Sequence, residues 1–276
     1  MDQVDALRGA STIAEPNSTY LAKPQMKRSD WESEVYSLDY PNLGTAVIIS
    51  NEKFERGTGL NRRIGTNVDA DTMYELLNTI GFEKIIQLKD LTVTQMKNEL
   101  QRVAKLDYSK TSCFVCILLS HGEEGYIFGT DGKVSIEDLV LPLKGNNCPG
   151  LVGKPKIFFV QACKGDMLDE GEEVADAGEM DVEEEAETLG RIPTEADFLT
   201  VYSTIPGSLA WKTSVRGSWF IQAVSDVFNE HWTTMDILTM MTHVNRKVAR
   251  DTESVGRKQI PCITSMLTKD FFFRTN

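Results

Sequence analysis

The chain has 276 residues, 41% of them hydrophobic and 25% charged, enough for one α/β domain or two smaller ones with a sizeable core. No apolar run approaches the ~20 residues that span a bilayer, the N-terminus lacks the basic-then-apolar order of a signal peptide, and five cysteines at irregular spacing argue against a disulfide framework. The net charge of −12 is concentrated in one block, Asp169 to Glu187, with eleven acids and no Lys or Arg; the body is near neutral, and no basic cluster points to nucleic acid or a membrane.

Residues 1–38 mix Ser, Pro, Lys and acids without periodicity and read as a short disordered leader. Thr45 to Ser50 is the first predicted strand. A loop from Arg62 leads to a helix with Thr66 as its expected N-cap, apolar residues at Val68, Met73, Leu76, Leu77 and Ile80, and Gly81 as its stop. Lys84 to Leu88 is a second strand. Thr92 to Leu106 is a second helix, carrying Val93, Met96, Leu100, Val103 and Ala104 on one face.

Cys113 to Leu119 is apolar throughout, as in a central parallel strand, and runs into Ser120-His121-Gly122. A hairpin is expected around Gly129 to Gly132, then a short helix from Ser135 to Leu143. Ile157 to Gln161 is a fourth strand, apolar and bounded by Ala162-Cys163-Lys164-Gly165. After the acidic block come a strand at Leu199 to Ser203, a loop from Gly207 to Gly217, helices at Ser218–Phe228 and Met235–Arg250, and a last strand at Cys262 to Leu267. Strands alternating with helices predict an α/β fold: three layers, a six-stranded mostly parallel sheet with helices on both faces.

Two central strands therefore end in reactive side chains, His121 and Cys163. Parallel neighbours would bring these ends together, and an imidazole beside a thiol can take its proton or stabilise the thiolate nucleophile. Gly122 and Gly165 let the backbone approach closely, so that N–H groups can face a developing oxyanion. Taken singly, Cys163 reads as a small buried hydrophobe and His121 as a structural loop histidine. As a pair at matching strand ends they read as a catalytic dyad.

SHGEEG, QACKG, Arg63 within RRIGT, and GSWF together resemble the caspases, over about four-fifths of the chain from near Tyr40 onward. The family's local signature is Q-A-C, then R, Q or G, then G, with the histidine upstream; here His121 lies 42 residues before Cys163, and Lys164 departs from that signature. The resemblance implies an endopeptidase cutting after aspartate, without cofactor or metal. Cys163 would be the nucleophile, His121 the acid/base, and the N–H groups of Gly122 and Cys163 the oxyanion hole. A backbone carbonyl near Asn61 would orient the histidine. Arg63, Gln161 and Lys212 would bind the P1 carboxylate, Lys212 standing where the family has a second arginine. Leu209 would line S2, Thr213 would stand near P4, and Trp211 and Trp219 would form apolar walls or else pack in the core.

The short leader resembles the executioner branch. The resemblance implies a large subunit (39–168), an acidic linker (169–190) and a small subunit (191–276), with processing at Asp176, then Asp181, and trimming at Asp5. It further implies a cytoplasmic homodimeric zymogen, also admissible in the nucleus, whose partners are an upstream activating caspase, inhibitor-of-apoptosis proteins and proteins with P1 Asp. Two alternatives stay open: a weakly active homologue that regulates caspases by binding, and a related enzyme cutting after basic residues, which Arg63 argues against. Cys113 and Cys116 share a strand at positions i and i+3, so they face opposite sides and do not form a metal or redox pair. Cys148 and Cys262 read as structural, His231 and His243 as surface or packing residues. Phe271 to Phe273 resembles the family's dimer edge, with core burial as the other reading.

Overall fold

A computed structural model describes residues 33–163, 194–205, 212–213, 217–250 and 259–273, with the backbone alone at positions 163, 212 and 213. The strands are β1 (Asn42–Ser50), β2 (Lys84–Lys89), β3 (Thr111–Glu123), β4 (Tyr126–Phe128), β5 (Lys133–Ser135), β6 (Lys156–Cys163), β7 (Phe198–Tyr202), β8 (Lys212–Thr213), β9 (Gly217–Ser218) and β10 (Cys262–Ser265). The helices are α1 (Thr66–Ile80), α2 (Val93–Ala104), α3 (Ile136–Val140), α4 (Trp219–His231) and α5 (Ile237–Arg250).

The sheet runs β10-β7-β6-β3-β1-β2, and β4 and β5 extend one end of β3. Every neighbour pair along that path is parallel except β7 with β10. Side chains alternate between the two faces of a strand, and the packing obeys that parity. Ala46, Ile48, Val115, Ile117, Ile157 and Phe159 belong to one core, against α1, α4 and α5. Val47, Ile49, Phe114, Cys116, Phe158 and Val160 belong to the other, against α2 and α3. Cys113 and Cys116 fall in opposite cores, as their spacing requires.

Each helix is set by a local signal. Thr92 caps α2 with a full capping box, its hydroxyl accepting from Gln95 N–H and the Gln95 side chain accepting from Thr92 N–H. Gly81 ends α1 at φ 106°, a left-handed conformation that suits glycine. Along α5, Ile237, Met240, Met241, Val244 and Val248 make the buried stripe.

Several expectations are corrected. Thr66 is not the N-cap of α1, because its hydroxyl is engaged by Arg63; Gly65 takes that place. β3 and β6 run on to Glu123 and Cys163, so His121 and Cys163 lie within strands rather than beyond them. The loop before α4 contains a two-stranded ribbon, β8 with β9. Residues 33–38 are not part of a loose leader: Tyr36 is buried, donates to Asp197 Oδ1 at 2.7 Å, and Val35 bridges to Asp270. Phe271 and Phe273 are buried in the core, packed on Tyr36, Phe82 and Phe228, not displayed as a dimer edge.

Candidate active site

The site is built at the carboxyl ends of β1, β3 and β6, where an open α/β sheet offers side chains to a crevice. The β3–β6 register pairs Leu119 with Gln161 and His121 with Cys163. Paired positions of parallel strands lie ~4.8 Å apart on one face of the sheet. By strand parity that face is the one covered by α1, α4 and α5.

His121 is held on both sides. Its Nε2 lies 2.9 Å from the Asn61 carbonyl, and the Phe54 ring packs 4.9 Å from its own. A carbonyl can only accept, so Nε2 carries the hydrogen and the neutral ring keeps its lone pair on Nδ1. The tautomer needed for a base is thus fixed by backbone, not by a carboxylate.

Gly122 comes next in β3, opposite Ile127 of β4. A Cβ here would lie 2.5 Å from Ala162 Cβ and 2.9 Å from the Tyr126 carbonyl, so only glycine lets β3 and β6 approach at this point. A cavity of about 260 Å³, lined in part by Gly122, Val160, Ala162, Tyr202 and Cys262, sits behind this edge. Its strand residues belong to the opposite face, so it is not the crevice that His121 faces.

Arg63 and Gln161 are fully buried. The Arg63 guanidinium donates to Thr66 Oγ1 at 2.7 Å and lies 3.7 Å from Asp69 Oδ2, while Thr66 Oγ1 donates to the Arg63 carbonyl. Asp69 is itself fully buried. Its Oδ1 accepts from Ser218 N–H at 2.7 Å and Ser218 Oγ at 3.1 Å. Gly217, at φ 78°, has no room for a side chain against that carboxylate. Across the ribbon, Lys212 pairs with Ser218 and Thr213 with Gly217. One carboxylate therefore ties the arginine to the backbone of the ribbon that bears Lys212.

The loop carrying Asn61 and Arg63 is fixed by Glu52. The Glu52 carbonyl accepts from Arg63 N–H at 2.8 Å. Its carboxylate receives Arg62 at 2.7 Å and approaches Lys89 at 3.3 Å. Burial alone would raise this carboxyl, but hydrogen bonds and charge from Arg62 and Lys89 outweigh it and hold it below the usual range.

The structure thus gathers His121, Gly122, Gln161, Arg63 and the backbones of Cys163, Lys212 and Thr213 at one edge. Trp219 opens α4, half-buried, directly after the Asp69 anchor. Leu209, Trp211, Asp5, Asp176 and Asp181 lie outside the described residues. Sequence reasoning missed Asp69 and Glu52. Asp69 left a signal: it precedes Met73, Leu76 and Ile80 by four, seven and eleven residues, which puts an acid on the apolar stripe of α1. Glu52 left none, because its partners come from separate segments.

A protein-family model described as Caspase domain matches residues 43–272, which places the chain among the cysteine-type endopeptidases. Over 247 residues it is 44% identical to Caspase-3 of Bos taurus, covering 87% of this chain and 88% of that one. It is 42% identical to Caspase-7 of Gallus gallus over 246 residues, 86% of this chain and 79% of the relative. The solved structure of Caspase-1 from Spodoptera frugiperda superimposes with a TM-score of 0.78 at 36% identity, covering 92% and 97% of the two chains. The chain belongs to the caspase family.

Proposed function

We propose that this protein is an executioner caspase of apoptosis: a thiol protease made as a zymogen, activated by cleavage of its acidic linker, and cutting proteins after aspartate. The observation that carries the catalytic assignment is the register pairing of Cys163 with His121, whose imidazole is pinned through Nε2 to the Asn61 carbonyl. His121 accepts the Cys163 proton, and the thiolate attacks the scissile carbonyl carbon. The oxyanion is met by the N–H groups of Gly122 and Cys163. The C–N bond breaks as His121 returns the proton to the leaving amine. Water, deprotonated by the same imidazole, then hydrolyses the thioester and restores the thiol.

Specificity is assigned to Arg63, Gln161 and Lys212 around the P1 carboxylate. A buried guanidinium backed by Asp69 is supported in one orientation, and a neutral P1 isostere would forgo the charge-assisted hydrogen bond that a P1 carboxylate makes to it. Leu209 replaces a bulkier S2 residue and would accept branched P2 side chains. Thr213 would border S4, with Trp211 and Trp219 as apolar walls.

The processing reading keeps a leader at 1–38, its last residues docked on the body through Val35 and Tyr36, a large subunit at 39–168, a linker at 169–190 and a small subunit at 191–276. Cleavage falls first at Asp176, flanked by Ala177-Gly178, then at Asp181, with trimming at Asp5. Two processed chains would pair through β10, the outermost strand, beside which Ile260 and Met266 are more than a third exposed. An upstream caspase would cut the linker, inhibitor-of-apoptosis proteins would oppose the product, and the cytoplasm, with the nucleus, would be the place of action. Among the described residues no helix is long and apolar enough to cross a membrane.

The test is a set of fluorogenic peptides differing only at P1, assayed with wild type and Cys163→Ala. Asp should be cleaved at least ~10³-fold faster than Asn, with nothing from the variant. Cleavage after Lys or Arg, or an active Cys163→Ala chain, would end the proposal. Mass spectrometry of the purified protein should find termini after Asp176; a fully active intact chain would remove the processing model.

A further inference from the structure

The catalytic reading uses neither His231 nor His243, yet the fold puts them together. Their rings lie 5.5 Å apart and perpendicular, one from α4 and one from α5. They border an open cleft of about 460 Å³ lined also by Val227, Glu230, Arg246, Lys247 and Arg250. His243, Arg246, Lys247 and Arg250 stand at i, i+3, i+4 and i+7, so α5 presents them as one row. In a chain of net charge −12, α5 carries no acid in its 14 residues.

The opposing charges come from α4. Asp226 pairs with Lys247 at 3.0 Å, and Glu230 lies 3.6 Å from His231 Nε2. The cations of α5 thus outnumber these two acids by one, and protonating each imidazole adds one more. Cations in a last helical turn complement the helix dipole, which accounts for Lys247 and Arg250. It does not account for a concave surface closed by two facing imidazoles. Arg246, Lys247 and Arg250 share the cleft lining with the two imidazoles, so the pair answers an anion better than a cation.

We infer that the α4–α5 cleft is a binding site for a linear polyphosphate chain, free or carried by a nucleoside. From His243 to Arg250 the helix advances ~10 Å, longer than one phosphate and matched to three in a row. Arginine and lysine supply charge-assisted donors along that length. A protonated imidazole offers a donor at each ring nitrogen, so both rings can add donors to the row.

Calorimetry on the intact Cys163→Ala chain tests this, with inorganic tripolyphosphate, ATP and orthophosphate as probes at about pH 6 and about pH 8. Tripolyphosphate should bind saturably, more tightly at the lower pH, and at least tenfold more tightly than orthophosphate. The exposed-site variant Arg246→Gln/Arg250→Gln should lose about tenfold or more. His231→Gln/His243→Gln should lose that gain at the lower pH, keeping only the opposite trend that protonation of the phosphates themselves imposes. Equal affinity for ATP and tripolyphosphate would assign the site to the phosphate chain alone; tighter ATP would assign it to a nucleotide. Unsaturable binding, or the same affinity in wild type and the arginine variant, would overturn the inference. Should the histidine variant fold poorly, the arginine variant measured at both pH values still decides.

Discussion

Both ends of this sheet bury charge, but they do different work. At the amino ends, Lys156 donates to the carbonyls of Leu151 at 3.0 Å and Lys154 at 2.9 Å and sits 4.9 Å from the Phe198 ring. Lys154 donates to the Tyr108 carbonyl and lies 4.1 Å from the Tyr40 ring. Burial pushes both amines down to about 8. At the carboxyl ends, Arg63, Asp69, Gln161 and His121 are equally buried but meet one another's elements: a loop, a helix, two strands and a ribbon. A perturbed ionisable group alone does not mark a site. Convergence of several elements on one crevice is the better mark, and the carboxyl edge has it among the described residues.

Breaking the carboxyl edge should have the largest effects. Cys163→Ala and His121→Ala should each lower kcat/KM by ~10⁴-fold or more, with unchanged thermal unfolding, as turnover and calorimetry will show. Asp69→Asn should cost ~3–5 kcal/mol in urea unfolding, because it removes a buried carboxylate 3.7 Å from the Arg63 guanidinium and loosens the Ser218 anchor. Its kcat/KM should fall as well; a variant of wild-type stability would show that Asp69 does not support the pocket. Lys212→Arg should raise kcat/KM about threefold to tenfold, since a planar fork suits a carboxylate better than a point charge. Equal or lower activity would defeat the idea that lysine is the weaker residue at this position.

The amino edge should respond to pH instead. With the folded Lys156 lowered to about 8 against an ordinary 10.5, the unfolded chain binds more protons between those values. Stability from this group is therefore diminished below about pH 8 and recovers as pH rises towards 10.5. Relative to Lys156→Met, the wild type should gain up to ~3 kcal/mol across that interval in urea unfolding. Parallel curves would show that burial does not lower the Lys156 amine.

Much of this was legible in the sequence, for reasons that differ by residue. The apolar runs at 113–119 and 157–160 marked central strands because a strand covered on both faces has few polar positions. His121 stands two residues past the first run and Cys163 three past the second, which located them, and Arg63 was located by its motif. The strand ends were not legible: the pairing that carries β3 to Glu123 and β6 to Cys163 is a property of neighbours, not of either segment. Thr66 obeyed the capping rule in sequence but was claimed by Arg63 in space. Phe271 and Phe273 lie near the chain's end, where a docking edge and a core plug look alike until Tyr36 and Phe82 are found against them. Asp69 needed a long-range partner, Ser218, 149 residues away.

The most direct measurement is the ratio of kcat/KM for matched P1 Asp and P1 Asn peptides, in wild type and in Arg63→Gln. The wild-type ratio should be ~10³ or greater and should fall to near unity in the variant, because the proposed function assigns the reading of the substrate carboxylate to this buried cation. A ratio that survives the substitution would contradict the placement of Arg63, and with it the claim that this edge selects aspartate.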